Sequence, residues 1–302
     1  MNILITGATG FVGKNLIKML SYSNIIHVLI RPTTKIEKHN VKDVFVFNDN
    51  IEELSNYLIE NRIEGLIHLA SLYIAQHQSQ QTKDLVLSNI YLGTALLEAS
   101  VKAKVKWFLN TGTIWQNYNV PDKSDEYNPV NLYAATKQAF MDLAKFYIET
   151  SKLKFCTLKL CDTYGPNDTR NKIFALLKKN AETRVSLDMS LGEQKLDILY
   201  IDDVISGFTC LIERLHCNNR NTASEYVLSS GKQYTLKQLS KIFEDVTHQK
   251  LDINWGGRAY REREVMKPYI GNILPKWSPK VTLEKGIIEF DNGVLIIFET
   301  KD

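Results

Sequence analysis

Short, almost wholly apolar runs recur along the first half of the chain: Asn2 to Thr6, Ile25 to Arg31, Asp43 to Phe47, Gly65 to Ala70, Val105 to Asn110 and Phe155 to Leu160. Because they are continuously apolar instead of alternating, they predict strands covered on both faces. The stretches between them carry helical spacing. Val12, Leu16 and Leu20 fall on one face, as do Ile90, Leu97 and Val101, and both stripes read as core packing. Strand and helix in alternation predict a parallel sheet of βαβ units. Past residue 160 the rhythm loosens. A strand-like run at Asp197 to Ile201 is followed by Asp202 and Asp203, placed to cap a helix through Phe208 and Leu211. Pro166, Gly192, Gly231, Gly256 and Gly257 then break up the remainder. The expected organisation is a sheet domain over 1–160 and a smaller α+β domain made mainly of 161–302 and interleaved with it. No internal repeat, low-complexity segment or flexible linker is visible.

Composition narrows the function. A chain of 302 residues holds one sheet domain and a modest second one. Its 37 basic and 34 acidic residues give +3 and are dispersed, so neither nucleic acid nor a membrane surface is expected as a partner. The four cysteines lack metal-type spacing and the six histidines show no paired ligand spacing, so no metal site is expected. The sequence opens directly on a strand-like run with no secretory signal before it, which predicts reduced thiols and a cytoplasmic location. The apolar run from Gly293 to Phe298 is far shorter than the roughly 20 residues a spanning helix needs.

The first predicted strand runs straight into Gly7, Thr9, Gly10, Phe11, Val12 and Gly13, with helical spacing beginning at once. Glycines three apart let the backbone turn tightly, approach a pyrophosphate and pack the helix against the sheet, with the helix N-terminus facing the anion. In that strand-to-helix context the motif predicts a dinucleotide site in a Rossmann-type, doubly wound α/β fold. At the end of the second strand, where an acid would bind the ribose of NAD(H), stands Arg31. A guanidinium there suits a 2′-phosphate, so NADP(H) is preferred and NAD(H) stays as the alternative. Asp49, past the third strand, is placed for the adenine amino group.

Tyr133 and Lys137 lie four apart on a helix predicted from Val130 to Thr150 and so share a face. A tyrosine titrates near 10, and bringing it to about 7 takes about 4 kcal/mol of preferential phenolate stabilisation. The lysine and a positive nicotinamide ring have the right sign to supply it. A hydroxyl to hold the reacting oxygen is expected at the carboxyl end of the fifth strand, where Thr113 is the first candidate and Thr111 the reserve.

Taken together, Gly7/Gly10/Gly13, Ile67 to Ala70, Asn89 with Gly93-Thr94, Thr111 to Thr113, Tyr133/Lys137, Tyr164-Gly165-Pro166 and Asp202-Asp203-Val204 resemble the extended short-chain dehydrogenases, the NAD-dependent epimerase/dehydratase group, that act on nucleotide-sugars. The resemblance covers nearly the whole chain. Asn110 to Thr113 and Arg261 to Met266 are most similar to the bacterial 4-ketoreductases of deoxysugar synthesis. The resemblance implies that Tyr133 is the acid/base, that Lys137 also holds the nicotinamide ribose and that Thr113 orients the substrate. It further implies that Asn50, Leu69, Ala70, Ser71, Asn89 and Thr111 contact the cofactor. Ile114 and Trp115 would line the substrate site, with Asn171, Lys172 and Arg261 on its diphosphate, in a homodimer.

There are departures. Related 4,6-dehydratases carry an Asp-Glu pair after the catalytic threonine, whereas Ile114 and Trp115 follow Thr113, so elimination has no acid or base here. Leu196 stands where many relatives have arginine, with Lys195 next to it as a substitute. The expected reaction is NADPH-dependent reduction of the 4-keto group of a nucleotide-diphospho-4-keto-6-deoxyhexose. The alternatives are a 4-epimerase that retains NAD and a non-catalytic dinucleotide sensor, which would have no need of Tyr133, Lys137 and Thr113.

Overall fold

The computed structural model describes residues 1–37, 39–217 and 224–293; the run after Gly293 lies outside the described residues. In chain order the elements begin β1 (Asn2–Thr6), α1 (Phe11–Leu20), β2 (Ile25–Ile30), β3 (Asp43–Val46), α2 (Ile51–Glu60), β4 (Gly65–His68) and α3 (Thr82–Val86). A π turn at Leu87–Tyr91 joins α3 to α4 (Leu92–Lys102), followed by β5 (Trp107–Thr113), α5 (Leu132–Thr150) and β6 (Lys154–Leu160). The second half holds β7 (Asp162–Tyr164), α6 (Ile173–Thr183), β8 (Leu187–Met189), β9 (Lys195–Leu196), β10 (Ile198–Tyr200), α7 (Ile201–His216) and β11 (Glu225–Leu228). It closes with β12 (Tyr234–Thr235), α8 (Leu236–Thr247), β13 (Ile253–Trp255) and α9 (Leu283–Asp291).

Among the described residues the main sheet has seven strands in the order β11-β6-β5-β4-β1-β2-β3, all parallel. The order reverses between β1 and β4, so the crevice above their carboxyl ends is where a ligand of such a sheet binds. The apolar runs have helices on both sides. Leu16, Leu20, Val204 and Phe208 from α1 and α7 join one core cluster. Leu54, Leu58, Leu96, Phe140 and Ala144 from α2, α4 and α5 join the other. Short two-stranded pairings, β10 with β7, β12 with β9 and β13 with β8, build the region beyond the sheet's carboxyl end. β11 returns to the main sheet, pairing Glu225 with Thr157 and Leu228 with Leu160.

Two expectations for the second half are corrected. The run at Asp197 to Ile201 is shorter as a strand and lies outside the main sheet, because Ile201 already opens α7. Asp202 and Asp203 do not cap that helix; they lie inside its first turn, behind Tyr200 at the N-cap. Asp203 is buried and accepts from the backbone amides of Lys280 (2.8 Å) and Val281 (3.0 Å), so it anchors the approach to α9.

Phe140 of α5 is fully buried against Phe108, Phe155 and His68. Phe140→Ala should cost about 3–5 kcal/mol of unfolding free energy by urea denaturation; a loss under 1 kcal/mol would mean that this layer is not the tightly packed one.

Candidate active site

The glycine turn is a cradle that side chains would fill. Gly7 has φ +72°, and a Cβ there would lie 2.7 Å from the Ala70 nitrogen; a Cβ on Gly13 would lie 2.2 Å from the Gly7 carbonyl oxygen. Gly10 donates to Gly7 O (3.0 Å) and is the N-cap of α1, with no side chain capping it. Its first-turn amides face the crevice side of the sheet, the arrangement that receives a phosphate. Thr6 ties the neighbouring loop down: its hydroxyl bonds Ala70 N (3.1 Å) and His68 Nδ1 (2.8 Å).

Helix α5 begins where the Asn131 side chain accepts from Ala134 N at 3.0 Å. One turn in, Lys137 is 3% exposed and, among the described residues, makes no hydrogen bond or ion pair. Burial pulls its ammonium down to about 8. A buried cation with no partner among the described residues and an uncapped glycine cradle are each a feature that fits a dinucleotide, with its ribose hydroxyls and its diphosphate. Tyr133 differs from expectation. Burial pushes its phenol up to about 12, opposed by the nearby Ser71 side chain, and Lys137 is not among the groups that shift it. Desolvation outweighs the lowering by Ser71 and by the Lys172 charge; a cationic ring placed beside the phenol would add to that lowering.

The two threonines separate clearly. Thr113 Oγ1 accepts from Trp115 N at 3.3 Å as the cap of a short 3-10 turn at Ile114–Gln116. The Thr111 hydroxyl is buried and has no partner. Both line a cavity of about 180 Å³ together with Val12, Tyr133 and Lys172. A second cavity, of about 380 Å³, gathers Ile114, Trp115, Asn171, Lys172, Lys195 and Arg261. The expected substrate residues therefore stand together, and the two cavities share Lys172.

Other expected residues lie elsewhere on the carboxyl edge. Arg31 and Asp49 are exposed and line neither cavity; Asn50 accepts from Glu53 N (3.1 Å) as the N-cap of α2. A further cavity, of about 430 Å³, lies against α1 and contains Thr9, Lys14 and Lys35, without Arg31. Asn89 is wholly engaged within the protein, bonding Ser71, Leu72 and Thr136, so its side chain has no capacity left for a cofactor. Sequence reasoning missed Tyr73, Asp162, Arg170 and Arg258. Asp162 pairs with Lys172 at 3.0 Å. Arg170 grips Asp168 through Nε and Nη2 and lies 4.5 Å over the Phe11 ring at the start of α1. Arg170 directly precedes the Asn171-Lys172 pair, which was the one local signal for it.

A profile of the NAD dependent epimerase/dehydratase family matches residues 3–225, and the chain belongs to that family. It is 30% identical to the CDP-abequose synthase of Salmonella muenchen, over 94% of this chain and 95% of that protein. It is 22% identical to the dTDP-4-dehydro-6-deoxyglucose reductase of Escherichia coli, over 94% and 95%. Among solved structures, the UDP-glucuronic acid 4-epimerase of Bacillus cereus, in complex with UDP-glucuronic acid and NAD, gives a TM-score of 0.83 at 22% identity, covering 97% of this chain and 98% of that one. At that identity the likeness speaks for the fold. The chain is an NAD(P)-dependent oxidoreductase of the extended short-chain dehydrogenase type, a nucleotide-sugar-modifying enzyme.

His68 supplies a pH signature. It is fully buried, and burial first, then the Lys137 charge, pull its imidazolium down to about 3. As pH falls below about 6.5 the unfolded chain takes up that proton and the folded chain does not, so stability drops toward pH 3 by up to about 1.4 kcal/mol per unit. Urea unfolding between pH 7 and 4.5 should show a shallower slope for His68→Gln than for the parent; equal slopes would mean the imidazole protonates freely in the fold.

Proposed function

We propose that this enzyme uses NADPH to reduce the 4-keto group of a nucleotide-diphospho-4-keto-6-deoxyhexose in deoxysugar synthesis, in the cytoplasm where reduced NADP is available. The observation that carries the reading is the joined pair of cavities. Tyr133 and Thr111, whose buried hydroxyl has no partner, line the smaller one, and Lys195, Arg258 and Arg261, which make no ion pair among the described residues, line the larger. The likeness to CDP-abequose synthase supports the deoxysugar assignment. Residues 1–160 would hold the dinucleotide and 161–302 mainly the substrate.

In this reading the turn from Gly7 to Gly13 cradles the pyrophosphate. Arg31, helped by Lys14 and Lys35, meets the 2′-phosphate, and Asp49 the adenine. Leu69, Ala70 and Ser71 form the floor beside the ribose, and Asn89 acts by holding that loop. When bound, the reduced dinucleotide supplies the hydride. Tyr133 gives its proton to the carbonyl oxygen, and a phenol held high is protonated and ready to do so at neutral pH. Thr111, in place of Thr113, donates a hydrogen bond to that oxygen, since its hydroxyl has no partner in the protein whereas Thr113 Oγ1 is held in place as the cap of the 3-10 turn. Lys195, Asn171, Lys172 and Arg261 take the diphosphate. Exposed apolar side chains Val86, Leu87 and Tyr91, with Leu143 and Phe146 on α5, support a homodimer through these helices.

Incubation with NADPH or NADH and CDP-, dTDP- or GDP-4-keto-6-deoxyhexoses, followed by NMR of the products, tests the reading. NADPH should be preferred about ten- to hundredfold, and Arg31→Ala should erase most of that preference. Purification with bound NAD and interconversion of two epimers without added reductant would replace this reading with an epimerase. Thr111→Val should lower kcat by about 10²–10³ and Thr113→Val far less; the reverse order would return the role to Thr113.

A further inference from the structure

The two cavities meet at a neck whose walls they share: Tyr73, Ile114, Trp115, Asp162 and Lys172. Tyr73 stands at its centre. Its ring is edge-on to Tyr133 (centroids 5.1 Å apart, 80°) and tilted against Trp115 (5.7 Å), with the Lys172 ammonium 4.8 Å from the ring centroid. The loop that carries it has no regular secondary structure, yet its backbone is fastened on both sides. Leu72 exchanges two hydrogen bonds with Asn89, and Ala75 O accepts from Asn131, the N-cap of α5, at 2.9 Å. The ring is therefore fixed to the same helices that place Tyr133. The charged groups of the neck, Asp162 and Lys172, are paired with each other.

A hexopyranose attached through C1 to a diphosphate and reacting at C4 presents those carbons at opposite corners of its ring. Of its two remaining edges, C2–C3 carries hydroxyls, while the edge through C5 ends, in a 6-deoxy sugar, in a methyl group. The aromatic wall of Tyr73 and Trp115 suits the methyl edge. A hydroxymethyl group packed against the apolar faces of the two rings would give up part of its hydration there, whereas a methyl group would not. We infer that Tyr73, with Trp115 beside it, is the specificity-determining residue that selects a 6-deoxy sugar over its 6-hydroxy counterpart. The inference rests on the nucleotide-sugar reductase reading above and adds which residue reads C6.

Calorimetric titration of the full chain with CDP-6-deoxyglucose, CDP-glucose and CDP alone tests this without turnover. The parent should bind the 6-deoxy sugar about tenfold more tightly than the 6-hydroxy one. Tyr73→Ala should bring that ratio close to one, with binding of CDP retained as the report of an intact fold. Tyr73→Phe should keep the ratio, because the ring does the selecting. A parent without the preference, a Tyr73→Ala variant that retains it, or a Tyr73→Phe variant that loses it would each overturn the inference. Failure of the parent to oxidise NADPH with any 4-keto sugar would overturn the assigned reaction instead, and it is read in a separate assay from the binding ratio.

Discussion

The side-chain amide of Asn89 is buried where three pieces of backbone meet. Its oxygen accepts from Ser71 Oγ (3.1 Å) and Leu72 N (2.8 Å), and its nitrogen donates to Leu72 O (3.0 Å) and Thr136 Oγ1 (3.0 Å). Thr136 in turn donates to the carbonyl of Tyr133 at 2.8 Å. All four hydrogen-bonding positions of the amide are therefore used, and the loop after β4 is locked to the turn of α5 that carries Tyr133. The π turn at Leu87–Tyr91 holds Asn89 at this crossing; an extra residue in a helical turn commonly marks a functional site. Buried polar networks specify one arrangement when every member is satisfied, and a single missing bond is costly because water does not replace it.

Burial also sets the chemistry. His68, Tyr133 and Lys137 sit above the sheet's carboxyl edge, and desolvation moves each toward its neutral form. The phenol is held protonated and the ammonium is only weakly held. A positive charge brought in beside Tyr133 stabilises the phenolate in surroundings of low dielectric, where it acts more strongly than in water. The site thus favours a proton on Tyr133 before reduction and tolerates its loss afterwards. That order suits a group that gives a proton to a carbonyl oxygen.

The parts legible in the sequence were those governed by local rules. Strand runs, the Gly7 to Gly13 turn and the four-residue spacing of Tyr133 and Lys137 follow from backbone geometry and periodicity; the turn and the spacing stand where the pattern put them, and the strands of the first half do so with shifted ends, as at Trp107–Thr113 against Val105 to Asn110. The choice between Thr111 and Thr113 was not legible, because it turns on which hydroxyl a 3-10 turn claims as its cap. Asp203 looked like a cap by position, but tertiary structure turned its carboxylate to Lys280 and Val281. Tyr73 and Arg170 lie in aperiodic loops, and only the closing of the two cavities around them marks them as part of the site. Asn89 was visible through the family's motifs, yet those motifs did not show that its amide is spent on the protein itself.

The central claim is that Tyr133 and Thr111 hold a sugar carbonyl to which a hydride is delivered. It is tested most directly with NADPH deuterated at the transferring position of the nicotinamide and a nucleotide-4-keto-6-deoxyhexose. One deuterium should appear at C4 of the product, with one NADPH consumed per sugar. Product lacking deuterium at C4, or formed without consumption of NADPH, would contradict it.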